Sequence, residues 1–254
     1  MNQFEEKLLP TNGINLHVIQ AGPVEEPLVI LLHGFPEFWR GWKKQTGPLA
    51  DAGYRVTVPD QRGYNLSDVP KEVEAYRIEE LALDVIGLLD VLDRQDCYLV
   101  GHDWGAAVAW WVALTSPEKV KKLAILNVPH PAVMLDFLKK HPSQLLKSWY
   151  IGFFQIPGLA DRLARLGNFQ QPAYALRSSS RSGTFRDEDL RAYKQAWKNS
   201  GGFTGMINWY RALVRYRPKL PEDIRLHMPV CILWGKRDRF LSHKMAESSA
   251  RLCD

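Results

Sequence analysis

A chain of 254 residues with 46% hydrophobic and 24% charged residues can bury a sizeable core, and this balance excludes both a disordered chain and a membrane-embedded one. The net charge of +5 comes from basic residues spread along the chain, in local groups such as Lys119, Lys121 and Lys122, with no basic and aromatic stripe that would mark a nucleic-acid footprint. Cys97, Cys231 and Cys253 are odd in number and lack metal-ligand spacing, and no cofactor signature is present, so a disulfide framework, a metal and a cofactor are all unexpected. Residues 1–10 carry Glu5, Glu6 and Lys7 and no apolar run, so a cytoplasmic location is expected. The longest apolar run, 106–114, is far short of a membrane span, and no membrane insertion is expected.

In chain order, residues 28–32 form a continuous apolar run ending at His33 and Gly34, which predicts a strand buried on both faces. Residues 55–59 predict a second strand, ending in Asp60, Gln61, Arg62 and Gly63. Ile78, Leu81, Val85, Leu88, Leu89 and Leu92 have helical spacing over 77–92. A third strand, 97–100, runs into Gly101-His102-Asp103-Trp104-Gly105, followed by a buried helix over 104–114. Further strands are predicted at 123–126 and 230–234, and a last helix at 242–252; Cys97 and Cys231 read as small core residues of their strands. Strands alternating with helices predict an α/β protein with a mostly parallel sheet covered on both faces. Residues 129–217 break that alternation with helical stretches and many aromatics. They read as a helical cap inserted into a discontinuous core of residues 1–128 and 218–254. The apolar part of that insertion, 145–159, reads as a lid over a pocket because Lys147 and Gln155 interrupt it.

Polar and Gly-rich motifs follow the strand ends repeatedly, at His33-Gly34, Asp60 to Gly63, Asp103, Asn127 and Asp238, and ligands of open α/β sheets bind beyond those ends. The run 101–105 has the outline of a nucleophile elbow with aspartate in place of serine. Aspartate, with an ordinary pKa of about 3.9, is ionised at neutral pH without a base. A carboxylate suits attack on a tetrahedral carbon bearing a leaving group, as in epoxide opening or halide displacement. The backbone N–H groups of Phe35 and Trp104 are the expected oxyanion-hole donors. Asp238, beyond a late strand, suits the role of a group that orients a histidine.

His33-Gly34-Phe35-Pro36-Glu37, Asp60-Gln61-Arg62-Gly63-Tyr64 and the elbow together resemble α/β-hydrolase-fold epoxide hydrolases. So do Ser148-Trp149-Tyr150 with Phe153-Phe154-Gln155, and Asn208-Trp209-Tyr210, in the insertion. The resemblance implies the α/β-hydrolase fold and a small apolar epoxide as substrate, opened to a vicinal diol. It implies Asp103 as nucleophile and Tyr150 and Tyr210 as donors to the epoxide oxygen. A phenol of pKa about 10 can donate a hydrogen bond and then a proton to the alkoxide. His33, Pro36, Trp149, Phe153 and Trp209 are the residues expected to line the substrate pocket. A monomer or homodimer is expected.

The family also implies a histidine, held by Asp238, that activates water against the alkyl-enzyme ester. It stands a few dozen residues beyond the acid, and the sequence reaches Asp254 without one. His33 and His102 read as loop-ordering donors, and His243 has the wrong spacing. The expectation is of a hydrolase cut short of its base, alkylated once on Asp103 and slow to turn over. Two other readings stay open. One is a haloalkane dehalogenase in which Trp104 and either Trp149 or Trp209 hold the halide. The other is a non-catalytic protein of the same fold that binds a small molecule.

Overall fold

The computed structural model describes residues 4–141, 148–201 and 203–254. Its strands are β1 (Glu5–Thr11), β2 (Ile14–Ala21), β3 (Leu28–Leu32), β4 (Arg55–Pro59), β5 (Cys97–His102), β6 (Val120–Leu126) and β7 (Val230–Leu233). They form one sheet in the order β1-β2-β4-β3-β5-β6-β7. The first two pairings are antiparallel and the rest parallel. Every residue of β3 and β4 is buried, as expected for strands covered on both faces.

Helices α1 (Lys43–Asp51), α2 (Ile78–Val91) and α3 (Trp104–Thr115) flank the sheet. Alternate residues divide its core. Leu28, Ile30, Leu32, Leu99, Leu123 and Ile125 pack with α2 and α3, while Val29, Leu31, Val56 and Val58 pack with Trp42 and Ala50 on the other face. Helix α3 is apolar all round and buried from Gly105 to Leu114 except at Ala107. A helix without a polar face belongs in an interior, and this one lies directly beneath the strand that carries the elbow.

The hairpin β1–β2 adds an edge that the predicted elements did not include. Its strand β1 carries charge at Glu5, Glu6 and Lys7, so no clean alternation marks it. The turn was nevertheless legible: Asn12 and Gly13 both have positive φ, 41° and 74°, as a two-residue Asn-Gly hairpin requires. A second correction concerns Cys231, which is exposed rather than core. It sits on the face that α1 covers over β3 and β4 and leaves open over β5, β6 and β7. There a groove of about 360 Å³ is lined by Val29, Tyr98, Val100, Ala124, Val230 and Cys231.

Among the described residues, six helices lie between β6 and β7: α4 (Pro131–Lys140), α5 (Trp149–Phe154), α6 (Leu159–Arg165), α7 (Gln170–Ser179), α8 (Asp187–Asn199) and α9 (Thr204–Arg215). No strand occurs there among the described residues. They sit over the loops at the sheet's carboxyl edge. The Trp209 indole donates to the Arg62 carbonyl at 2.9 Å and the Trp197 indole to the Pro36 carbonyl at 2.7 Å. Asn199 donates to Asn65 at 3.0 Å. Helix α10 (Lys244–Ala250) follows β7.

Candidate active site

Asp103 occupies the tip between β5 and α3 with φ 51° and ψ −124°, a conformation that L-residues rarely adopt. The turn closes because its flanking residues have no side chains. A Cβ on Gly101 would meet the backbone of Gly105 and Ala106, and one on Gly105 would meet the carbonyls of Leu32 and His33. The elbow therefore holds its central carboxylate at a fixed point at the helix N-terminus, where the dipole favours an anion.

The carboxylate Oδ1 accepts the Phe35 N–H at 2.7 Å, and the Trp104 N–H also bonds it. Both expected oxyanion-hole donors thus converge on Asp103. Burial raises the Asp103 pKa above the ordinary 3.8, against the opposing pull of the His102 charge and of the two N–H groups.

Tyr210 comes from α9 and is buried. Its ring packs edge-on against Phe154 at 4.9 Å, Trp104 at 5.0 Å, Phe35 at 5.2 Å and Tyr150 at 5.8 Å. Burial, then the charge of Asp103, pushes the pKa of both phenols upward, so each keeps its proton. Two neutral O–H donors and one buried carboxylate are brought together here.

Other expected lining residues are placed differently. His33 is fully buried; its Nδ1 lies 3.0 Å from the Gly34 carbonyl, and its Nε2 accepts the Gln61 N–H at 3.1 Å. Burial lowers its pKa, so it is a neutral clamp within two loops rather than a pocket wall. Pro36 follows a cis peptide bond in the loop that presents Phe35. Trp149 is 68% exposed and turned to solvent, which removes it from a pocket. Phe153 packs toward Trp149 and Phe154; it is Phe154 that faces Tyr150, Tyr210 and Phe35, one register position along the short helix α5. Trp209 is buried behind Trp104, at 5.5 Å between rings, with its N–H spent on Arg62.

Asp238 lies in the turn after β7. Its Oδ1 accepts the N–H groups of Phe240 at 2.7 Å and Leu241 at 2.9 Å, and its Oδ2 takes the Asn127 side-chain amide. No histidine bonds it among the described residues.

Sequence reasoning missed Glu37. It lies 3.4 Å from His102 Nδ1 and accepts the Tyr193 hydroxyl at 3.1 Å. Burial works to raise its pKa, yet His102 outweighs burial and holds it below the ordinary carboxylate range. Burial likewise works against His102, and Glu37 and Asp103 together raise it. The signal was present, since Glu37 and His102 belong to the two motifs that meet at the elbow. Among the described residues no three His, Cys, Asp or Glu side chains group in a way that could hold a metal ion.

The sequence matches the family described as alpha/beta hydrolase fold over residues 27–254. It is 48% identical over 254 residues to the AB hydrolase superfamily protein YfhM of Bacillus subtilis (strain 168), across 100% of this chain and 88% of that protein. It is 37% identical over 244 residues to Epoxide hydrolase 4 of Mus musculus, across 93% of this chain and 66% of that protein. The crystal structure of a Bacillus megaterium epoxide hydrolase in complex with an inhibitor superposes with a TM-score of 0.89 at 31% identity, covering 97% of this chain and 88% of that one. The chain belongs to the α/β-hydrolase fold family, as an epoxide-hydrolase-like member.

Proposed function

We propose that the chain opens small apolar epoxides through a covalent ester on Asp103, beneath a cap formed by residues 129–217. The observation that carries this reading is the pairing of a buried carboxylate with two protonated phenols, Tyr150 and Tyr210. In the first step an Asp103 oxygen attacks an epoxide carbon. The carbon–oxygen bond breaks, and the alkoxide takes a proton from a phenol. In the second, water adds to the ester carbonyl carbon, and the Phe35 and Trp104 N–H groups hold the oxyanion. The C–O bond to the substrate breaks, one proton of the water goes to the leaving alkoxide and the other restores the phenol, and a vicinal diol is released.

The second step needs a base. Asp238 is engaged by Asn127 and two backbone N–H groups, and no histidine hydrogen-bonds it among the described residues. In this 254-residue chain hydrolysis of the ester is therefore proposed as the slow step. Incubation with styrene oxide should add the mass of one epoxide to the intact protein, and peptide mapping should place it on Asp103. Absence of both adduct and diol would sink the reading; the Asp103→Ala variant should give neither.

The halide-displacement reading is weakened at the second donor it needs beside Trp104, since Trp209 donates to the Arg62 carbonyl and Trp149 faces solvent. Bromide release from a bromoalkane without epoxide consumption would restore it. The non-catalytic reading is favoured by the partners of Asp238. Reversible binding of styrene glycol with no covalent adduct from the epoxide would establish it instead.

A further inference from the structure

Helix α6 presents its leucines outward. Its inner side carries Ala160 and Asp161, both buried, while Leu159 and Leu163 are 39% and 41% exposed. Ile156 ahead of it and Leu166 just beyond it are 46% and 60% exposed. Leu159 and Leu163 stand at i and i+4 on one face of the helix, and Leu166 caps its C-terminal end. Tyr174, on the adjacent α7, is exposed too. Single exposed apolar residues are ordinary. A run of four exposed apolar residues over 156–166 marks a contact surface.

Charge says what the surface fits. Residues 148–186 hold five arginines, no lysine and one acidic residue, Asp161. Asp161 turns inward, where it accepts the Thr204 hydroxyl at 2.5 Å and lies 3.5 Å from Arg211. Arg162 is exposed beside the leucines, and Arg165 and Arg177 stand nearby, bonded to the Gly201 carbonyl and to Asp187. The outward stripe thus joins leucines to cations, the composition of helices that lie in a membrane interface. A second copy docked leucine to leucine would bring the same arginines together, which disfavours a homodimer through this face. Among the described residues no helix is long and apolar enough to cross a membrane.

We propose that this face docks on an anionic lipid surface, with Ile156, Leu159, Leu163 and Leu166 at the acyl boundary and Arg162 against lipid phosphates. The proposal is independent of the chemistry at Asp103. It is tested by co-sedimentation of the 254-residue protein with phosphatidylcholine vesicles, with and without about 30 mol% phosphatidylglycerol. The protein should pellet with the anionic vesicles and stay in solution with the neutral ones, and binding should fall at about 0.5 M salt. The double variant Leu163→Glu, Leu166→Glu should lose binding about tenfold or more. Its thermal melt should be unchanged because both side chains already face water. Equal pelleting with neutral vesicles, no pelleting, or full binding by the double variant would each overturn the proposal. So would a dimer in light scattering that the double variant dissolves.

Discussion

The proposed chemistry turns on how three side chains hold their protons. In that proposal Asp103 is ionised to attack, and burial raises its pKa above 3.8. Ester formation should therefore rise with pH through a midpoint above the ordinary carboxylate range, measured as the rate of adduct appearance by intact mass. The same shift has a stability consequence. A carboxyl whose folded pKa lies above its unfolded value favours folding most below the unfolded pKa, and that contribution is lost as pH rises through the folded one. Asp103→Asn, which keeps the shape without the charge, should melt higher than the parent at pH 7, and the difference should vanish in acid. An equal or lower melting temperature at pH 7 would show that the two N–H bonds outweigh burial. The phenols act in the opposite sense, since their upward shift preserves the donor. Tyr150→Phe combined with Tyr210→Phe should slow ester formation by about 10²–10⁴-fold, and each single change by less, because one donor remains. Asp103, Tyr150 and Tyr210 were legible as residue types in motifs. Phe154 was not, because on a helix as short as α5 no periodicity distinguishes it from Phe153 as the ring facing the tyrosines.

At the scale of elements, the loops beyond the strands are tied together by buried polar groups. His17 on β2 contacts Asp60 at 2.6 Å and Glu6 on β1 at 2.8 Å. Asp60 in turn accepts the Trp39 N–H at 2.7 Å and the Asn65 amide at 2.6 Å, and Asn65 accepts from Asn199 on α8. The hairpin is thereby joined to the loop that leads into α1 and to the inserted helices. Burial works to lower the His17 pKa, but Asp60 and Glu6 prevail and raise it above 6.5. A raised histidine contributes stability fully below its unfolded pKa and loses it as pH rises through the folded value. Stability should thus decline from mildly acidic to alkaline pH, and His17→Leu should reduce that slope, leaving the part due to His102. The substitution also leaves Asp60 buried without its cation, a loss of about 3 kcal/mol, readable in urea unfolding at pH 6. A variant with the parent's pH slope would show that other groups set it. None of this was legible in the sequence, because His17 and Asp60 are distant in the chain and β1 lacks a strand pattern. The strands β3 to β6 were legible, since continuous apolar runs and a wholly apolar α3 leave few other places for them.

At the scale of the whole chain, the described residues close one face of the sheet and leave part of the other open. Helices α2 and α3 cover one side, whereas α1 covers β2, β3 and β4 on its own side and leaves the groove beyond them open. The groove over Tyr98, Val100, Ala124 and Cys231 is apolar except for Lys122 at its rim. Strand β7 borders it as the last strand of the sheet, with Leu233 more than half exposed. An uncharged edge strand beside an open apolar face is a template for pairing with another chain. The 254-residue protein should therefore bind a hydrophobic dye and self-associate as its concentration rises, seen as growth of mass in light scattering. Cys231→Lys with Leu233→Lys places cations on the groove and on the edge without touching Asp103, Tyr150 or Tyr210. That variant should stay monomeric at concentrations where the parent does not, form the styrene oxide adduct at the parent's rate, and still sediment with anionic vesicles through α6. If self-association persists in it but disappears in Leu163→Glu, Leu166→Glu, the leucine stripe and not the sheet edge is what draws two copies together. The two apolar surfaces thus differ in charge: the leucines of α6 have Arg162 and Arg165 beside them, and the open sheet face has Lys122.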